Sequence, residues 1–219
     1  MTVKTIFAYL LLSLALLWGL HEACAQKPEG YYLNAVNSLN AGNIDQAFGE
    51  LNKALDLDSE HPQSRILRAY LFLQAGDKRA ALDDYTAALR SAPTDLGALT
   101  NRALIYMEME KYPEAEKDLK KRLKHDPYNW MAIYDLAYCY GLMQEHDKAI
   151  EGFTEVIKRK KDYPDAFLNR AYALYNKHSN AGLSEPAEDI IIELCADIER
   201  ALELGHEDAE RALEKYCGP

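Results

Sequence analysis

The chain has 219 residues, 48% of them hydrophobic and 27% charged, a composition that excludes a long disordered protein and fits one substantial folded unit. Its 35 acidic side chains outnumber 25 basic ones, for a formal charge of −10. Such a surface repels nucleic acid and anionic lipid headgroups, so neither is expected as a partner.

Residues 1–25 stand apart. Lys4 precedes an uncharged, largely apolar run from Ile6 to Leu20, and the small residues Ala23, Cys24 and Ala25 follow. This is the pattern of a secretory signal peptide cut before Gln26. As a helix the run would reach about 22 Å, short of the roughly 30 Å hydrocarbon core of a bilayer. Membrane attachment is expected only if Cys24 is lipidated, and His21 and Glu22 are not the residues such sites use. The absence of any Asn-x-Ser/Thr acceptor favours a bacterial exported protein, so the expected compartment is the periplasm or cell envelope.

From residue 28 onward the chain repeats itself. Ala47, Ala81, Ala115 and Ala149 fall at a constant step of 34 residues. Four positions after each come Leu51, Tyr85, Leu119 and Phe153, and seven after come Ala54, Ala88, Arg122 and Val156. Those spacings share one helical face. Twelve residues before each alanine lie Ala35, Ala69, Ala103 and Ala137, so each unit is predicted to hold two amphipathic helices. The turns between them read Ala-Gly-Asn at 41–43 and Ala-Gly-Asp at 75–77, replaced by Met-Glu-Lys at 109–111 and Gln-Glu-His at 144–146. Pro93 and Pro127 are expected to end the second helix of two units.

After residue 163, "PDAFLNRAYALYNK" at 164–177 repeats the first helix, including the Asn-Arg-Ala of 101–103. An insertion at about 178–186 then displaces the second helix, with Ser184 as expected N-cap and Pro186 in the first turn. Ile198 and Ala201 restore the spacing, Gly205 supplies a stop, and residues 205–219 are expected to form a charged, solvated cap helix.

On these residues the chain resembles the tetratricopeptide repeat (TPR) proteins, whose 34-residue helix–turn–helix unit carries small residues at fixed positions and proline near its end. Four units fit, 28–61, 62–95, 96–129 and 130–163, with an atypical fifth at 164–204. Ser59, Lys161, Arg122 and Val156 depart from the family pattern. The resemblance implies an all-α, right-handed TPR superhelix, an α-solenoid of about five units with a C-terminal cap helix. It also implies a concave groove that binds a protein or peptide segment. Carried over by register, the groove residues are Tyr32, Tyr70, Asn101, Tyr134, Asp135, Tyr138, Asn169, Tyr172 and Tyr175, joined by Val36, Ile66, Gln74, Thr100, Leu104, Met107, Met131, Leu168 and Asn176. Tyrosine offers a large ring with a hydrogen-bonding tip, and asparagine can bridge to peptide backbone. Family members that clamp a carboxylate use lysines and arginines as well as asparagines here, and only the asparagines are present. The alternative is that individual tyrosines merely pack between helices.

Of four cysteines, three remain after cleavage at residue 25. Cys195 and Cys217 lie ten residues before and twelve after Gly205, which in a helical hairpin puts them about 15 and 18 Å above the turn, level enough to bond. A Cys195–Cys217 disulfide fastening the cap helix is therefore expected in an oxidising compartment, the alternative being two packed thiols. Cys139, beside Ala137, is expected in the core.

The histidines at 21, 61, 125, 146, 178 and 206 have no metal-ligand spacing and are expected in loops. With no nucleophile elbow, phosphate loop or dinucleotide fingerprint, no catalytic residue, metal or cofactor is expected. The resulting functional expectation is an exported, non-enzymatic scaffold that helps assemble an envelope complex. Two alternatives remain: an accessory subunit of an envelope machine using its convex face or inserted loop, and an enzyme with an unrecognised site.

Overall fold

The computed structural model describes residues 27–179 and 187–218. The leader 1–25 with Cys24, and Ser184 and Pro186 of the insertion, lie outside the described residues. Among those described, all regular structure is helical: eleven α-helices and no strand. The chain divides into two compact units, one up to Ala98 and one from Leu99.

The first unit holds α1 (Pro28–Asn40), α2 (Ile44–Leu57), α3 (Pro62–Gln74) and α4 (Lys78–Ser91). Proline opens α1 and α3, where its missing N–H is no loss. Asp77 caps α4 by accepting from the Ala80 N–H at 3.0 Å. Ala35, Ala47 and Leu51 are fully buried between α1 and α2, joined by Leu71 from α3. The alanines lack side-chain bulk, so the helix backbones approach closely and the larger residues fill the space left over.

The division between the units falls in the first turn of α5 (Leu96–Glu108). The second unit continues through α6 (Tyr112–His125), α7 (Trp130–Leu142), α8 (His146–Arg159), α9 (Pro164–Ser179), α10 (Glu188–Glu203) and α11 (Ala209–Cys217). Ala103, Ala115, Leu119 and Cys139 join α5, α6 and α7 in one buried cluster. Ala137, Ala149, Phe153 and Ala173 join α7, α8 and α9 in the next. The third, around Leu174, Leu194, Ile198, Ala201 and Ala212, unites α9, α10 and α11.

The first four hairpins each turn through a residue of positive φ at the same interval: Gly42, Gly76, Glu110 and Gln144, at 78°, 82°, 59° and 61°. The following N–H reaches back to the helix end in every case, as in Asn43 to the Ser38 carbonyl at 2.8 Å and Glu145 to that of Tyr140 at 2.9 Å. This is the Schellman geometry that glycine adopts without strain, here kept by Glu110 and Gln144 as well.

Paired charges clamp three of the hairpins. Arg68 grips Asp84 through two hydrogen bonds of 2.7 and 2.9 Å, Arg102 grips Asp118 at 2.7 and 2.8 Å, and Arg170 grips Asp197 at 2.7 and 2.6 Å. All three aspartates are buried. Removing one partner would strand a buried charge, which is why such pairs hold helix register. In the fourth hairpin Leu136 and Gly152 take these places, and Gly152 lies so close to Ala137 that an added Cβ would come within 2.6 Å of the Ala137 Cβ.

The helix after the insertion begins at Glu188, with Ala187 extended before it, later than Ser184 and Pro186 were expected to start it. Cys195 and Cys217 are bonded, with Cα atoms 5.8 Å apart. The last helix is less solvated than its charges imply, because Ala209 and Ala212 are buried and Tyr216 packs against α9. Three histidines also depart from expectation, lying in helices rather than loops: His125 ends α6, His146 opens α8, and His178 lies within α9 with its Nδ1 2.8 Å from the Leu174 carbonyl.

Candidate peptide-binding groove

The second unit has two concavities that meet at Tyr138 and Leu142. The larger, about 550 Å³, lies between α5, α6 and α7 and is walled by Leu104, Met107, Tyr112, Tyr134, Tyr138 and Leu142. Three carboxylates, those of Glu108, Glu110 and Asp135, complete its lining. The smaller, about 350 Å³, lies between α7, α8 and α9, with Tyr138 and Leu142 on one side and Asn169, Tyr172 and Asn176 on the other. Helix α7 brings Tyr134 and Tyr138 to one face because they are four residues apart, and the rings lie nearly parallel at 14° with centroids 6.4 Å apart.

The two tyrosines play different parts. Tyr134 is wedged between Phe153 and Tyr163, with ring centroids at 5.6 and 5.1 Å, and its hydroxyl accepts a 2.9 Å hydrogen bond from Asn169. Burial raises its pKa, and the nearby hydroxyl of Tyr163 and carboxylate of Asp165 act the same way. Tyr138 is 42% exposed and forms the ridge between the two concavities. Burial likewise pushes Asp135 up to about 6, with the positive charge of Arg122 acting in the other direction.

Asn169 and Tyr172 line the smaller concavity, whereas Tyr175 turns to the last helix. Tyr216 sits 6.0 Å from the ring of Tyr172 and 4.6 Å from that of Tyr175. Asn101 is half-buried in α5. Leu168, carried into the groove by register, is instead buried, because α10 and α11 close over that side of α9. In the first unit Tyr70 is exposed, while Tyr32 packs against the core with its ring 6.1 Å from that of His61.

Several lining or supporting residues escaped the reading by register. Tyr163 buttresses Tyr134 and stacks edge-on to Trp130 at 5.0 Å, and burial pushes its hydroxyl up to about 12. Glu108 and Leu142 stand at the same register position as Gln74 and Asn176, so the repeat spacing reaches them although they were not among the residues carried over, whereas Glu110 lies in the turn beyond α5. Cys139, by contrast, is the buried thiol expected, its Sγ 3.5 Å from the Tyr112 carbonyl and its pKa pushed up to about 11 chiefly by burial. Among the described residues no cluster of three His, Cys, Asp or Glu side chains could hold a metal ion. None of their helices is long and apolar enough to cross a membrane.

This is a tetratricopeptide-repeat fold of the α-solenoid class, and the tetratricopeptide repeat profile matches residues 32–95 and again 131–164. The solved structure of YrrB, described as a TPR protein with an unusual peptide-binding site, superposes with a TM-score of 0.75 at 17% identity, covering 88% of this chain and 95% of YrrB. A MamA crystal structure gives a TM-score of 0.70 at 19% identity, covering 84% and 94%. Among curated proteins, human mitochondrial import receptor subunit TOM70 is 25% identical over 161 residues, 71% of this chain and 26% of its own length. The chain spans about a quarter or less of the curated relatives it matches.

Proposed function

We propose that the chain is a non-enzymatic adaptor that holds a segment of another protein along the α5–α7–α9 face of its second unit. The observation that carries this reading is the pair of concavities meeting at exposed Tyr138 above the packed Tyr134–Tyr163–Phe153 cluster. A rigid aromatic floor with one exposed ring and amide groups beside it suits an anchoring side chain flanked by peptide backbone. The description of YrrB as carrying a peptide-binding site, and of TOM70 as an import receptor subunit, supports the same kind of role.

The adaptor is further proposed to work in the periplasm or cell envelope, in the assembly of a complex there. The leader pattern of residues 1–25 supports export, and the Cys195–Cys217 bond suits an oxidising compartment. Cell fractionation with N-terminal sequencing tests this: a mature chain starting at Gln26 is expected, and a cytoplasmic chain retaining residues 1–25 rules export out.

The binding test is an in-cell crosslinking pull-down comparing the parent with Tyr138→Ala combined with Leu142→Ala, after circular dichroism has shown equal helicity. Loss of a parent-specific partner is the expected result. Partners that persist unchanged sink the groove reading and move attention to the convex face or the inserted loop.

A further inference from the structure

We infer that the larger concavity of the second unit receives a cationic side chain, an arginine or lysine presented by the bound protein segment. The inference rests on the binding role proposed above and adds the chemistry of the residue that is read. Three of the nine lining residues are carboxylates, Glu108, Glu110 and Asp135, and none is a cation. Glu108 ends α5 and Glu110 holds the left-handed turn after it, so both stand at the rim, while Asp135 is set into the wall.

Two further features suit a long side chain ending in a positive charge. Leu104, Met107 and Leu142 offer an apolar surface along which the methylene stem can lie. The near-parallel Tyr134 and Tyr138 rings present aromatic surface beside Asp135, where a guanidinium or ammonium group is attracted both to the rings and to the carboxylate. An uncharged apolar anchor would leave Asp135 buried against it without a new partner, at a cost in affinity. The formal charge of −10 steers a basic segment toward this chain.

The experiment uses the full mature chain and a phage-displayed library of random peptides as probe. Selected peptides are expected to share an arginine or lysine, and calorimetric titration compares the best one with its glutamine-substituted version against parent, Asp135→Asn and Tyr138→Ala chains. Replacing the cation should weaken binding to the parent about tenfold, as should Asp135→Asn, and the two changes together should cost little more than either alone. Peptides that bind the parent with no basic preference, or whose binding Asp135→Asn leaves unchanged, overturn the inference while the groove reading stands. Binding unaffected by Tyr138→Ala, or a library with no binder, removes both. A concentration-dependent rise in mass by light scattering that Asp135→Asn abolishes supports the cation reading and assigns its source to a second copy of the chain, presenting a basic stretch such as Arg159–Lys160–Lys161.

Discussion

The side-chain amide of Asn169 donates a 2.9 Å hydrogen bond to the hydroxyl of Tyr134, joining α9 to α7 across 35 residues. The bond fixes one aromatic ring of the groove and leaves its neighbour Tyr138 free of such anchoring. Tyr134→Ala should therefore destabilise the second unit by about 2–3 kcal/mol, since it empties a site packed by Phe153 and Tyr163. Tyr138→Ala, on an exposed ridge, should cost less than about 1 kcal/mol. Urea unfolding of both variants checks the pair, and equal losses would show that the two rings do not divide into support and contact.

Gly152 is a helical glycine whose replacement by alanine should harm rather than help. An added Cβ would sit 2.6 Å from that of Ala137, so Gly152→Ala must push α8 away from α7 and should cost about 1–3 kcal/mol. Gly49→Ala, also within a helix but with nothing within 4 Å of its Cβ position, should stabilise by about 0.5–1 kcal/mol. Thermal melts with the same sign of shift for both would contradict the close approach at Gly152.

Asp135 makes stability depend on pH. Its folded-state pKa is raised to about 6, chiefly by burial, whereas an unfolded aspartate titrates at about 3.9. The folded chain thus favours the protonated carboxyl, so its contribution is complete below the unfolded value and is lost as pH rises through about 6. Asp135→Asn, which mimics the neutral form, should melt higher than the parent at pH 7.5 and level with it near pH 4. A difference in melting temperature that is the same at both pH values would rule this out.

The Cys195–Cys217 bond closes a loop with a separation of 22 residues and ties α11 to α10. Its removal by paired Cys→Ala changes should lower the stability of that end by about 3 kcal/mol, on the loop-entropy account. Hydrogen exchange should speed up in α10 and α11, and near-ultraviolet dichroism should report loosening of Tyr172, Tyr175 and Tyr216. Exchange in α1–α4 should not change, because repeat units depend on their neighbours. Faster exchange throughout the chain would mean that the bond supports more than the C-terminal hairpin.

The sequence by itself determined the repeat, its register and the helical hairpin. The reason is local: Ala47, Ala81, Ala115 and Ala149 must be small wherever two helices cross closely, and that need recurs with each copy. Turn chemistry was half legible, since Gly42 and Gly76 announce a left-handed residue while Glu110 and Gln144 adopt the same conformation without a glycine to mark it. The arginine of Asn-Arg-Ala was visible at 102 and 170, but its aspartate lies 16 residues on in one hairpin and 27 in the other, so only the folded hairpins reveal the pairs. Tertiary structure alone decided which groove tyrosines stand free. Tyr134 and Tyr138 share one face of α7, yet Tyr163 and Asn169 immobilise the first while the second stands exposed. Leu168 is buried and Tyr175 turned aside for the same reason: α10 and α11, beyond the repeat register, supply the surfaces they pack against. A side chain's helical face follows from its own sequence, but its exposure follows from what distant segments place opposite it.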